Sequence, residues 1–158
     1  MSGEKTAGKG GDFWIRAASP EDLPVLSEIE EACFSDPWSI GLIRECLENP
    51  SLYRLYAAED REGVFGYSVM SLVLDEAGID NLAVLPEHRR SGAGAALLTK
   101  MLSDARKLSA KSAVLEVRES NLPAIALYER TGFRQVGFRK NYYDNPTEGA
   151  RLYSLPLS

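Results

Sequence analysis

Apolar and polar positions follow one another along this chain as strand, helix, helix, three strands, helix, strand, helix and two strands. Phe13 to Ala17 alternates as a short strand. Ser19-Pro20-Glu21-Asp22 then supplies an N-cap, a proline at the first helical position and acids in the first turn. The helix it opens is predicted to run to about Cys33, with Leu23, Leu26, Ile29 and Cys33 on the apolar side and Glu28, Glu30 and Glu31 on the solvated side. Ser39 caps a second helix through Leu47. Tyr53 to Glu59 and Val64 to Leu74 read as a hairpin joined by Asp60-Arg61-Glu62-Gly63, and Glu76 to Leu85 continues the antiparallel run.

The second half keeps the same grammar. Gly94 to Leu108 is amphipathic, with Leu97, Leu98, Met101, Leu102 and Ala105 facing a core. Ser112 to Arg118 is a strand that sends Ala113, Leu115 and Val117 to one face and Val114, Glu116 and Arg118 to the other. Asn121 caps a short helix that Gly132 ends, and Phe138 to Asp144, a turn and Ala150 to Leu157 close the chain as two strands.

Length and charge narrow what these elements build. The chain has 158 residues, the size of one domain, and residues 1–11 carry almost no apolar side chain. The expected organisation is a flexible tail over 1–11 and one domain over 12–158. A net charge of −5 argues against nucleic acid, which needs clustered Lys and Arg, and suits a cationic partner. No apolar run reaches the ~20 residues of a membrane span and no signal-peptide core is present, so a cytoplasmic protein is expected. Cys33 and Cys46 lack CxxC spacing and accompany a single histidine, which supports neither a disulfide framework nor a metal site.

Candidate chemistry gathers at Pro86 to Leu98, a glycine-containing turn between an apolar strand and a helix. The first N–H groups of a helix are unpaired and sit at the positive end of its dipole, and Arg89 and Arg90 add two cations, so the turn reads as a phosphate cradle. It is not a P-loop, because Ala95 and Ala96 follow Gly94 where lysine and a hydroxyl are needed. A Rossmann turn is disfavoured because Leu97 follows the spacing that should bring a third glycine; Glu116 alone stands at a distance suited to that fold's ribose acid. Glu116 is also a carboxylate in mid-strand among apolar neighbours, which implies a solvated face, a partner such as Arg118, or a function. Phe34 and Trp38, in the loop between the first two helices, either staple those helices or offer apolar surface to a ligand.

The pattern Arg89-x-x-Gly92-x-Gly94 resembles the acyl-CoA pyrophosphate loop of the GCN5-related N-acetyltransferases. Leu115-Glu116-Val117-Arg118-x-x-Asn121-x-x-Ala124-Ile125-Ala126-Leu127-Tyr128 through Gly132-Phe133 resembles the last signature of that superfamily, in the version of the RimI type. Phe34-x-x-Pro37-Trp38-Ser39, Val73-Leu74-Asp75-Glu76-Ala77 and Arg139-x-Asn141-Tyr142-Tyr143 resemble the same subgroup. The similarity covers the chain from about Phe13 onward.

The resemblance implies an α/β (α+β) fold: a mixed, mostly antiparallel sheet flanked by helices and splayed near Leu82 to Val84, where acetyl-CoA inserts. It implies that Leu82, Ala83 and Val84 lie along the pantetheine arm. Arg89, Arg90, Ser91, Gly92, Ala93, Gly94 and Ala95 would surround the pyrophosphate, and Asn121 and Tyr128 would also touch the cofactor. It assigns Glu116 as general base and Tyr128 as general acid, and makes Trp38, Tyr142 and Tyr143 the peptide entrance. The acceptor would be a protein N-terminus, the N-terminal alanine of a small-subunit ribosomal protein, with no direct nucleic-acid or membrane partner. Chemistry agrees: a weak base suits an α-amine near pKa 7.8 better than a lysine near 10.4, and an exposed tyrosine hydroxyl near 10 supplies a proton to the departing thiolate. The alternatives are acetylation of a small-molecule amine and a catalytically silent acyl-CoA-binding module.

Overall fold

The computed structural model describes residues 12–157 and, ahead of them, the two-residue strand β1 (Thr6–Ala7). β1 pairs antiparallel with β2 (Trp14–Ala17), while the rest of the tail expected over 1–11 lies outside the described residues. The order continues as α1 (Leu23–Cys33), α2 (Ile40–Leu47), β3 (Tyr53–Asp60), β4 (Gly63–Val73), β5 (Glu76–Val84), α3 (Ala93–Lys107), β6 (Ser112–Arg118), α4 (Leu122–Thr131), β7 (Arg134–Tyr143) and β8 (Glu148–Pro156). The strands form one sheet in the order β1-β2-β3-β4-β5-β6-β8-β7, antiparallel throughout except where β5 meets β6. The mixed sheet expected from the sequence is observed.

Local chemistry explains the boundaries. The Ser19 N–H donates to Asp22 Oδ2 at 2.7 Å, and the Asp22 N–H returns to the Ser19 carbonyl at 2.9 Å, so a single 3-10 turn leads into α1. Ser39 Oγ accepts the Leu42 N–H at 3.1 Å, Asn121 Oδ1 accepts the Ala124 N–H at 3.3 Å, and Gly132 closes α4 in the left-handed region at φ 113°. The hairpin turn pairs Asp60 with Gly63.

Two apolar clusters cover opposite faces of the sheet. On one, α3 and α4 bury Leu97, Leu98, Met101, Leu102 and Ile125 against Ile15, Met70, Ile79 and Leu115. On the other, α1 and α2 bury Leu26, Ile29, Ile43 and Cys46 against Leu55, Tyr67 and Val69. Each fully buried aliphatic side chain contributes about 1.5–3 kcal/mol, so both layers hold the strands between them firmly in register. Cys46 is buried and Cys33 half-buried, both free thiols.

One expectation is overturned here. Glu30 does not face solvent with Glu28 and Glu31; its side chain is 1% exposed. It stands four residues after Leu26 and beside Ile29, on the helix stripe that faces β4, and three donors from elsewhere in the fold receive its carboxylate. Glu28 and Glu31 are exposed, as expected.

Candidate active site

The site is built around a fork in the sheet. β5 pairs with β6 only from Glu76↔Ser112 to Gly78↔Val114; beyond that point β5 keeps β4 and β6 keeps β8. The splay therefore begins at Gly78, four residues ahead of Leu82, and leaves Leu82, Ala83 and Val84 on an edge of β5 with no strand partner on the β6 side. The Val84 carbonyl accepts from Arg89 Nε at 3.1 Å and Cys33 Sγ at 3.4 Å, and the Leu82 N–H donates to Asn81 Oδ1 at 2.9 Å.

Past this edge the chain turns into α3. Arg90 and Gly92 adopt left-handed conformations, at φ 67° and 91°, which fold successive amides into a concave nest. The Ala93 N–H donates to Ser91 Oγ at 3.3 Å, whereas the N–H groups of Arg90, Ser91, Gly92, Gly94 and Ala95 find no acceptor among the described residues. Unpaired amides at a helix N-terminus, with the exposed Arg90 beside them, fit a diphosphate. Arg89 is also exposed, and its Nε donates to the Val84 carbonyl. Asn121 is exposed and its side chain caps α4.

On the other side of the fork lies an open groove of about 670 Å³, lined by Trp38, Tyr53, Asp80, Glu116, Tyr142 and Tyr143 among others. Glu116 stands on the face of β6 opposite the buried Leu115 and Val117, as the alternation predicted. Tyr142 OH donates to Glu116 Oε1 at 3.3 Å, and Arg139 Nε lies 3.7 Å from Oε2. Tyr142 packs edge-on against Tyr143 with ring centroids 5.1 Å apart, and the Arg118 guanidinium sits 4.5 Å over the Tyr143 ring. Tyr143 is the inward member of the pair, resting on Arg118; burial above all, then the charge of Glu116, pushes its hydroxyl up to about 12. Trp38 is half-buried, and its backbone N–H donates to Glu30 Oε2 at 2.9 Å.

Tyr128 departs from expectation. It is 7% exposed, packs edge-on against Phe133 at 5.8 Å and does not line the groove. Burial, with a smaller effect of Tyr143, raises its hydroxyl well above the ordinary tyrosine value, so the picture of an exposed phenol near 10 does not hold. The hydroxyl makes no hydrogen bond among the described residues. Its helix runs beside the start of α3: a Cβ built on Gly94 would meet Leu127 Cδ2 at 3.7 Å. The fold thus gathers Trp38, Glu116, Tyr142 and Tyr143 in the groove and sets Tyr128 among the apolar side chains behind the fork, on the α3 side.

Sequence reasoning passed over Asp80 and Arg139 as groove residues. The register carries Asp80 level with Glu116 across the mouth of the fork, two residues beyond Gly78↔Val114 on each strand. Between β4 and β5, Val69 faces Asn81 and Met70 faces Ile79, so Asp80 is the extra residue of a bulge that turns its side chain to the groove. Partial burial, followed by the charge of Glu116, raises its carboxyl above the usual value against the opposing hydrogen bond from Ser71. No single-strand signal marks a bulge, whereas Arg139 stood within a motif already singled out.

A turn of unpaired amides on one side of a fork and an acidic, aromatic groove on the other suit a phosphate-bearing donor and a cationic acceptor. Residues 23–133 match the acetyltransferase (GNAT) family, and the chain belongs to it. It is an acetyl-CoA-dependent N-acetyltransferase. The chain is 34% identical over 146 residues to the [ribosomal protein bS18]-alanine N-acetyltransferase of Escherichia coli K12, covering 91% of this chain and 97% of that one. It is 36% identical over 91% of its length to a protein of Bacillus subtilis described as a putative enzyme of the same name, of which it covers 95%. The crystal structure of the ribosomal-protein-S18-alanine N-acetyltransferase from E. coli superposes with a TM-score of 0.85 at 33% identity, over 92% of this chain and 94% of that one.

Proposed function

We propose that this chain transfers an acetyl group from acetyl-CoA to the α-amine of a protein N-terminus, the N-terminal alanine of a small-subunit ribosomal protein. The single observation that carries the reading is the groove: it is open, lined by Trp38, Tyr142 and Tyr143, and floored by a carboxylate that stands at the fork. The names of the two relatives support the alanine terminus as the acceptor.

Bound acetyl-CoA supplies the thioester carbonyl that the amine attacks. The unpaired amides of Arg90, Ser91, Gly92, Gly94 and Ala95 hold its diphosphate, and the free edge of β5 orients its arm toward the fork. Glu116 receives the proton that the α-ammonium sheds before attack, directly or through one water. At pH 7 roughly one α-amine in ten is already neutral, against fewer than one lysine in a thousand, so a carboxylate is an adequate acceptor for this substrate. Tyr128 holds a proton behind the fork for the departing sulfur, and because burial raises its hydroxyl above the ordinary tyrosine value, that proton stays on the phenol at neutral pH.

Mass spectrometry of two peptides incubated with acetyl-CoA tests the reading. A free Ala-Arg-Tyr-Phe terminus is expected to gain one acetyl group, and an N-blocked peptide carrying only lysine amines to gain none. Modification of lysine alone, or of neither peptide while acetyl-CoA still binds, overturns the substrate assignment and leaves the fold and donor site standing.

A further inference from the structure

Glu30 belongs to neither the donor turn nor the groove wall, yet it is the most deeply buried charged side chain in the described structure, at 1% exposure. Its three donors come from three different parts of the fold. Trp38 N–H arrives from the loop between α1 and α2 at 2.9 Å, Tyr67 OH from β4 at 2.5 Å, and Asn81 Nδ2 from β5 at 2.7 Å. Asn81 Nδ2 also reaches Tyr67 OH at 3.0 Å. The neighbours of Glu30 on its helix face, Leu26 and Ile29, pack with Ile43 and Val69, where an apolar side chain would serve packing as well as a carboxylate does. Burying a carboxylate there is costly unless donors meet it, so each of the three partners is held in place by that need.

Two of those partners sit at the two halves of the site. Trp38 is on the groove wall. Asn81 follows the bulge on β5, and its Oδ1 accepts the N–H of Leu82, a residue on the free edge along which the donor's arm is proposed to run. A ligand group that takes the Leu82 N–H releases Asn81 Oδ1 and frees the carboxamide to turn. Glu30 then leans on its two remaining donors, one of which is the backbone of Trp38. A continuous chain of hydrogen bonds, Leu82 to Asn81 to Glu30 to Trp38, therefore joins donor edge and acceptor wall.

We propose that Glu30 is a positioning residue that couples the two substrate sites, so that seating of the acyl donor on β5 sets the Trp38 loop for the acceptor peptide. The inference rests on the proposed function for the identity of the acceptor, and on the Leu82 edge for the route of the donor. Couplings carried by such shared contacts amount to about fivefold or more in affinity.

The two tryptophans are Trp14 and Trp38, so a Trp14→Phe background makes emission report on Trp38 alone. In that parent, titration with CoA is expected to shift Trp38 emission, and saturating acetyl-CoA to lower the KM for the Ala-Arg-Tyr-Phe peptide about fivefold relative to a sub-saturating level. Glu30→Gln keeps shape but removes an acceptor; it is expected to abolish the emission response and raise the peptide KM about tenfold, with kcat and the Kd for CoA within about twofold. Asn81→Ala cuts the chain on the donor side and should abolish the emission response while leaving the Trp38 amide bonded. It also decides the matter should Glu30→Gln fail to fold.

A folded Glu30→Gln or Asn81→Ala protein with an undiminished Trp38 response and an unchanged peptide KM overturns the proposal, as does a parent whose Trp38 ignores CoA. If the parent binds CoA with a Trp38 response but acetylates no α-amine, it is the substrate reading that fails, and the emission data on the variants still decide the coupling.

Discussion

Glu116 and Tyr128 occupy opposite environments: the open groove lets Glu116 meet a substrate ammonium, whereas burial keeps the Tyr128 proton on the phenol and makes it a weaker acid than an exposed tyrosine. Glu116 lies in the open groove, held by Tyr142 and near Arg139, while Tyr128 is enclosed among apolar side chains behind the fork. Positioned acids and bases contribute about a hundredfold or more, so Glu116→Gln and Tyr128→Phe should each lower kcat by about that factor with the Kd for CoA almost unchanged by calorimetry. Because burial lifts the Tyr128 hydroxyl, turnover at saturating substrates should not fall between about pH 8 and pH 10, where an ordinary tyrosine begins to lose its proton. A full rate in either variant removes that residue from its role. Asp80 gives a prediction in stability. Its folded pKa is raised from 3.8, so the native state disfavours the charged form, and the resulting destabilisation is absent below the unfolded pKa and complete once pH exceeds the folded value. Asp80→Asn should therefore melt higher than the parent at neutral pH, with the gap closing as pH falls toward about 4 in calorimetric scans.

The elements show what a linear pattern carries and what it omits. β6 matches its sequence reading residue for residue, because a strand buried on one face alternates visibly. β7 starts at Arg134, ahead of the expected Phe138: an edge strand exposed along most of its length has no alternation to read and owes its existence to the ladder with β8. The turn into α3 was legible from Gly92 and Gly94, since a turn into a helix leaves a compositional mark. The resemblance gave the splay near Leu82 to Val84, but neither its start at Gly78 nor the bulge at Asp80, because these depend on which strands stop pairing. Glu30 was misread because charge suggested solvent where position on the Leu26–Ile29 stripe said core, and the donors that make burial tolerable lie far away in sequence. The turn also yields a test. Gly92 sits at φ 91°, where an L side chain is strained by about 1 kcal/mol. Gly92→Ala should lower stability by about that amount in denaturant titration and weaken CoA binding severalfold as the nest opens, with the peptide terminus still recognised. Unaltered CoA affinity would show that the amides of this turn do not hold the diphosphate.

At the scale of the whole molecule, the fork divides the sheet into a β1–β5 part and a β6–β8–β7 part joined at the sheet level by a ladder of three residue pairs. The helices bridge the parts on one face, through the apolar cluster that α3 and α4 share. A ligand lodged at the fork contacts both parts and binds only the folded chain, so its binding energy adds to stability. At a hundred times its Kd, acetyl-CoA should stabilise the protein by about 2.7 kcal/mol, which for a chain of this size raises Tm by roughly 5–10 °C. The same ligand should slow amide hydrogen exchange at residues 90–95, five of whose N–H groups lack acceptors among the described residues, and at 82–84 on the β5 edge that has no strand partner toward β6, more than in the α1–α2 layer. Protection confined to α1 and α2, or a Tm indifferent to saturating acetyl-CoA, would mean that the donor does not seat in the fork. Protection at 90–95 without 82–84 would keep the diphosphate turn but move the arm off β5, and with it the donor end of the hydrogen-bond chain through Glu30.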